Sequence, residues 1–389
     1  MIARPTLGGV ILCFLLGSVH AYSTLIEPVE ASTGASRASV SLVYSTATVS
    51  LVLGVLLAPW LLRRARIEYL SLASALVAAS GLLIATLATY VPLLAGFGIV
   101  FGVANGLGYA ISVKAAAATR GRAAFDLGII SAAYCGGTMA FSQVFSWFAT
   151  PDRWPVGLYL LAALLVAGAF VTLLLFRAPR ADASEATSPP SPVSHRDVRH
   201  VVLLWVLYFF AMFGCLMTFG HAAAMVSAVG GTSDLAAAGA MLVGAGSLIG
   251  SVVAGYFGDR ASSRCILLVS FVAAGGAMIM LWQVAVPPLV LSGLSIVGLA
   301  YGALIAIMPA HIRMVFSPAV AFSAFSWIFL AWGVAGFLGP WAAGTIFDAT
   351  GGYRLAFMAG LVSVAVAAVL TLLLPRADRS DRGNGPQSA

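Results

Sequence analysis

The chain has 389 residues, of which 61% are hydrophobic and only 8% charged, with a net charge of +7. Soluble domains run roughly 45–50% apolar and about 25% charged, so a water-solvated globule is excluded and a chain solvated by lipid is expected. The positive balance is not a nucleic-acid footprint: Lys114 is the only lysine, and the arginines fall in short connections between apolar runs, where they report topology.

A hydrocarbon core of about 30 Å needs about 20 apolar residues in helix, and helices satisfy their own backbone. On that basis spans are expected at 6–26, 39–62, 69–90, 92–117, 124–148 and 155–176. After a break they resume at 201–229, 234–258, 263–284, 287–312, 321–347 and 353–375. Met1–Ala21 ends in small residues like a secretory signal, but removing it leaves the first half one span short, so it is read as a span. The first span carries His20, with Tyr22 behind it and Tyr44 in the second. The fourth span is a glycine ladder, Gly96-x-Gly98-x3-Gly102-x3-Gly106-x-Gly108, ending in Tyr109. This is packing chemistry rather than a dinucleotide loop, since no strand precedes it. Lys114 lies six residues, about 9 Å of helix, from Arg120. It either snorkels to the interface or draws an anionic solute into a cavity.

Residues 177–200 are rich in proline, serine and arginine and cannot bury enough surface to offset their ordering entropy, so they form a water-exposed linker. The expected organisation is a helical bundle at 1–176, the linker at 177–200, a second bundle at 201–375 and a tail at 376–389. In the seventh span His221 echoes His20 at a distance of 201 residues, and Met217, His221 and Met225 share a helical face. Sulfur with imidazole suits Cu(I), which makes copper import an alternative; methionine as core filler is the plainer reading. The tenth span echoes the fourth, with Tyr301 matching Tyr109. Cys13, Cys135, Cys215 and Cys265 have no CxxC spacing and read as small buried hydrophobes.

An even number of spans with both termini cytoplasmic puts sixteen arginines on the inner side. It leaves Arg37, Arg153 and Arg354 outside. Trp147, Trp154 and Trp282 fall at the expected interface. The fold class is therefore all-α integral membrane, twelve transmembrane helices in two six-helix bundles, in the inner (plasma) membrane. Halves related by an axis along the membrane normal describe the major facilitator architecture, with a solute site near mid-bilayer.

Three stretches carry a closer resemblance. Gly255-Tyr256-Phe257-Gly258-Asp259-Arg260, followed by Arg264, resembles the G-x3-D-R-x3-R signature of major facilitator proteins. Asp259, Arg260 and Arg264 are then expected to steady the cytoplasmic gate, with a simple positive-inside loop as the alternative. Thr33–Leu42, with Gly34, Ser36, Arg37 and Ser41, is similar to a segment of the oxalate/formate antiporter and monocarboxylate transporter group. So are Leu216–His221, and Tyr301 through Pro309, Trp332, Gly339-Pro340 and Asp348-Ala349-Thr350-Gly351. The resemblance implies a monomeric secondary transporter for a small organic acid, with protons as a candidate coupling ion. It departs where that group carries a carboxylate-binding arginine in the eighth span, because Ser251 stands there. His20, His221, Tyr22, Tyr44, Tyr109 and Tyr301 are the substitute donors, joined by Lys114 and Ser251 as solute contacts. No cofactor is expected. An enzyme is not expected either, since no acid sits deep in a span and no hydrolase or zinc motif is present. A non-transporting receptor or assembly factor would need a larger soluble part than the linker and tail provide.

Overall fold

The computed structural model describes residues 3–117, 123–177, 195–258, 261–283 and 286–374. They form twelve long helical runs. The first half holds α1 (Arg4–Thr33), α2 (Arg37–Arg64), α3 (Ile67–Ala85), α4 (Tyr90–Ala117), α5 (Ala123–Ser146) and α6 (Trp154–Phe176). The second holds α7 (His195–Ser227), α8 (Ser233–Gly258), α9 (Ser263–Gln283), α10 (Pro287–Val315), α11 (Pro318–Thr350) and α12 (Arg354–Leu372). Eleven are long and apolar enough to cross a membrane. The other, α5, spans 24 residues, enough for a bilayer core, but Asp126, Ser142 and Gln143 make it more polar.

Local sequence sets the helix ends. Gly34 (φ 68°) and Gly351 (φ 71°) take left-handed positions that close α1 and α11, which side chains with a Cβ avoid. Ser36 caps α2 by accepting the Ser39 N–H. Prolines open α6, α10 and α11, where the missing N–H costs nothing. Helix α7 starts at His195, earlier than the expected 201, with Asp197 in its first turn, where a carboxylate complements the helix dipole. Residues 178–194, most of the expected linker, lie outside the described residues.

Helix pairing repeats between halves. Within the first half α2 packs on α4, α3 on α6, and α1 on α4, α5 and α6; α8–α10, α9–α12 and α7 with α10, α11 and α12 repeat that pattern. Across the halves α2 meets α11 and α5 meets α8, again as counterparts. We term the end bearing the turns at 34–36, 147–153, 228–232 and 351–353 distal, and the end bearing the termini proximal.

Two expectations need correction. Cys265 is exposed, because it sits in the first turn of α9. Trp154 is fully buried rather than interfacial, and its indole donates to Ser32 Oγ at 2.9 Å, tying α6 to α1. Acids lie near helix ends: α1 carries Glu27 and Glu30 in its last two turns, and Asp126, in the first turn of α5, is buried and accepts from Thr6 Oγ1 at 3.0 Å.

Small residues permit these close crossings. A Cβ on Gly302 of α10 would stand 1.9 Å from the Ser247 carbonyl oxygen of α8. Gly302→Val should therefore lower the thermal unfolding midpoint in detergent, by overpacking worth about 1–3 kcal/mol. Gly276→Val, which meets nothing within 4 Å, should leave it unchanged.

Candidate functional site

The middle of α1 is not a regular α-helix. From Gly17 to Leu25 it tightens to 3-10 geometry over nine residues, well beyond the usual 3–4. The sequence explains this. Ser18 Oγ bonds the Leu15 carbonyl at 2.6 Å and Thr24 Oγ1 the Ala21 carbonyl at 2.8 Å, a competition that unsettles helical ladders. Gly17 meanwhile abuts α5 so closely that a Cβ would lie 2.0 Å from the Tyr134 carbonyl oxygen. Side chains from neighbouring helices take up backbone acceptors here: Asn105 Nδ2 of α4 donates to Leu16 O at 2.7 Å, and Thr138 Oγ1 of α5 to Gly17 O at 2.8 Å.

His20 rides on this stretch at the centre of the molecule. Its Nδ1 pairs with the Tyr44 hydroxyl of α2 at 2.7 Å, and its Nε2 has no hydrogen-bond partner among the described residues. The ring lies edge-on to Tyr134 of α5 and Phe219 of α7, with centroids 5.7 and 5.5 Å away. Phe219 then packs on Tyr301 of α10 at 4.5 Å, and Trp332 Nε1 of α11 donates to the Tyr301 hydroxyl at 3.2 Å. Having accepted that bond, Tyr301 keeps its own proton to donate. Tyr109 of α4 lies against Tyr134 at 5.5 Å, and the Tyr134 hydroxyl donates to Asn105 Oδ1 at 3.0 Å. An aromatic-walled cluster with polar tips thus spans both halves.

Of the residues expected from sequence, His20, Tyr44, Tyr109 and Tyr301 come together here. Tyr22 is near but committed elsewhere, stacked on Tyr44 with its hydroxyl bonded to Val40 O at 3.0 Å. Lys114 is exposed at the proximal end of α4. Ser251 Oγ is placed against two carbonyls, Ser247 O at 2.9 Å and Gly302 O at 3.0 Å. Its one proton is divided between a carbonyl of its own helix and one of α10. Arg264 is partly buried at the start of α9, whereas Asp259 and Arg260 lie outside the described residues. Asn105, Tyr134, Thr138 and Phe219 belong to the site and were not expected. The echo that picked out His20 covers only residues that recur in both halves.

His221 sits elsewhere, in a second cluster at the distal end. Its Nε2 lies 2.8 Å from Pro340 O and its Nδ1 2.9 Å from the Tyr353 hydroxyl. A carbonyl only accepts, so Nε2 carries the proton and Nδ1 accepts from Tyr353. With both nitrogens used, His221 has none left for a metal. This corrects the copper reading of Met217, His221 and Met225.

The Tyr353 oxygen also accepts from Arg37 NH1 at 3.1 Å. Burial pushes the Tyr353 phenol up, with Arg37 pulling the other way, so it keeps its proton at neutral pH. Arg37 is only 7% exposed, is gripped by Glu30 through Nε (2.7 Å) and NH2, and lies 4.0 Å from the Phe347 ring centroid. The Asp348 carboxylate of α11 accepts from the Arg37 and Ala38 N–H groups at 3.0 and 2.8 Å. It thereby caps α2 from the other half of the chain.

The chain matches the Major Facilitator Superfamily over residues 7–294 and again over 222–389. The chain belongs to that family. Solved structures agree on the fold. A D-xylose–proton symporter is 16% identical, with 96% of this chain and 98% of that one covered and a TM-score of 0.76. A mutant form of the nucleoside transporter NupG is 15% identical, with 95% and 98% covered and a TM-score of 0.73. A bacterial homolog of the human lysosomal transporter Spinster is 16% identical, with 94% and 95% covered and a TM-score of 0.71. No curated protein matches the chain by sequence at a significant level.

As a major facilitator protein it is a membrane transporter, not an enzyme, and it works by alternating access between its halves. In this structure the distal side is shut by the Arg37–Asp348–Tyr353–His221 clamp. Losing a cap acceptor costs about 0.5–2 kcal/mol, so Asp348→Ala should shift the balance toward distal opening by a few-fold to about thirty-fold. With the four native cysteines replaced by serine, Ser41→Cys reports this. Ser41 is buried against α11, and a membrane-impermeant thiosulfonate should modify the cysteine faster when Asp348 is alanine.

Proposed function

We propose that this transporter moves a small organic acid, of the monocarboxylate class, together with a proton. The observation that carries the reading is His20: central, held by Tyr44 through one nitrogen, with the other free among the described residues. Imidazole can take up and release a proton, and among the described residues no lysine, arginine or carboxylate contributes to the cluster. An anion near mid-bilayer needs compensating charge or donors. A protonated His20 supplies the charge, and Tyr109 and Tyr301 supply donors, so acid and proton cross as a neutral pair. The aromatic walls suit a short apolar tail. The sixteen-to-three arginine distribution supports a cytoplasmic proximal face, an outer distal face and an inner-membrane location. Asp259, Arg260 and Arg264 then belong to the cytoplasmic gate.

In proteoliposomes, uptake of labelled two- to four-carbon monocarboxylates should saturate and should quicken when the outer solution is acidified. His20→Gln keeps a polar group of similar reach but cannot take the proton. It should lower uptake about 10- to 100-fold, the weight of a charge-assisted hydrogen bond, and flatten the pH dependence without moving the unfolding midpoint. Uptake of neutral sugars in place of acids, or an unaltered pH profile in His20→Gln, would overturn the proposal.

A further inference from the structure

Helices α2 and α3 both span the membrane, and only Ala65 and Arg66 separate them. With 19 residues, α3 is about 28 Å long, close to the hydrocarbon thickness. So short a connection lies at the proximal membrane surface, at the level of the lipid headgroups. Residues 61–66 read Leu-Leu-Arg-Arg-Ala-Arg, with no acid, whereas the matching turn of the second half sets Asp259 beside Arg260.

Two apolar stripes run up to this turn. Helix α2 exposes Leu53, Leu57 and Trp60 at i, i+4 and i+7, followed by exposed Arg64 at i+11. These residues lie off the faces that pack on α4 through Gly54 and on α11 through Val52. Helix α3 exposes Leu83, Leu76 and Tyr69 at heptad spacing. In a membrane protein such stripes face hydrocarbon, and each ends proximally in a half-exposed ring of the kind that sits at the interface. An arginine covers each ring: the Arg64 guanidinium carbon lies 3.9 Å from the Trp60 centroid, and that of Arg66 5.9 Å from the Tyr69 centroid. Arg66 also binds the buried Glu68 at 2.6 Å, and Arg63 Nε donates to Pro59 O at 3.3 Å. Among the described residues Arg63 and Arg64 have no acidic partner, so positive charge is left over.

We propose that the α2–α3 turn is a binding site for an anionic phospholipid, its phosphate held by Arg64 with Arg63 and Arg66 beside it and its acyl chains lying along the two stripes. Guanidinium recognises phosphate through paired N–H donors, and stacking on a ring leaves that fork free at its edge. Basic residues at a membrane surface attract anionic lipid. Here the exposed rings and leucines continue the site into the hydrocarbon, which a free anion could not use. The site rests on the membrane fold alone and stands whatever the central solute proves to be.

Native mass spectrometry of the full chain in detergent tests this by titration with dioleoylphosphatidylglycerol or dioleoylphosphatidylcholine, each with and without inorganic phosphate. Phosphatidylglycerol should be retained saturably, and phosphatidylcholine at the same concentrations should not. Arg64→Gln should weaken retention about fivefold, equivalent to about 1 kcal/mol per arginine, and Arg63→Gln with Arg64→Gln should weaken it further. Both side chains are exposed, so the unfolding midpoint without lipid should stay where it is. Arg153→Gln is the control, since Arg153 also lies beside a ring, 5.7 Å from the Phe148 centroid, but stands alone at the distal end; it should change nothing. Equal retention of the two lipids, displacement of phosphatidylglycerol by equimolar inorganic phosphate, or unchanged retention in the double variant overturns the proposal.

Discussion

Two peptide N–H groups at the start of α2 are satisfied by a carboxylate that arrives from the other half of the chain. Helix ends leave such groups open, and a local serine can close only some of them. Ser36 takes the Ser39 N–H, and Asp348 of α11 takes those of Arg37 and Ala38. The contact places a full negative charge on the positive end of a helix dipole. It exists only while the halves are closed together distally. Arg37 adds a second link through Tyr353, and His221 passes it on to the carbonyl of Pro340.

These contacts reach the centre through the helices that bear them. Helix α2 carries Ala38 at its capped end and Tyr44 six residues on, about 9 Å along the axis. Helix α11 carries Asp348, then Pro340 within the helix, and then Trp332. Parting α2 from α11 distally therefore moves Tyr44 and Trp332, the partners of His20 and Tyr301. The tightened stretch of α1 is the complementary element. Held by Asn105 and Thr138, it positions His20 without a regular helical ladder, a local geometry that often marks a hinge.

The sequence made the fold legible because each span must by itself supply about 20 apolar residues and satisfy its own backbone. Span centres agree with the helices throughout; the ends moved, as at Thr33, where Gly34 closes α1, and at His195, where α7 begins earlier than expected. The site was legible only in part. His20, Tyr109 and Tyr301 stand out because each has a counterpart in the other half. Asn105 and Thr138 do not, since their role is to satisfy carbonyls on a distorted segment whose distortion no periodicity shows. The echo between His20 and His221 proved unequal: one nitrogen of His20 is free among the described residues, and both of His221 are used. Arg37 was visible as part of a family-like segment, yet its burial depends on Glu30, Tyr353 and Phe347. Two of those lie more than 300 residues away, and only tertiary contact reveals them.

Distances between spin labels at Ser36 and Ala349 would test the clamp most directly. Both residues are exposed at the distal end, one on each half. A clamp that holds the resting state and releases during turnover gives one short distance without solute and a second, longer population while solute is being transported. A single distance that never changes while transport proceeds would contradict it.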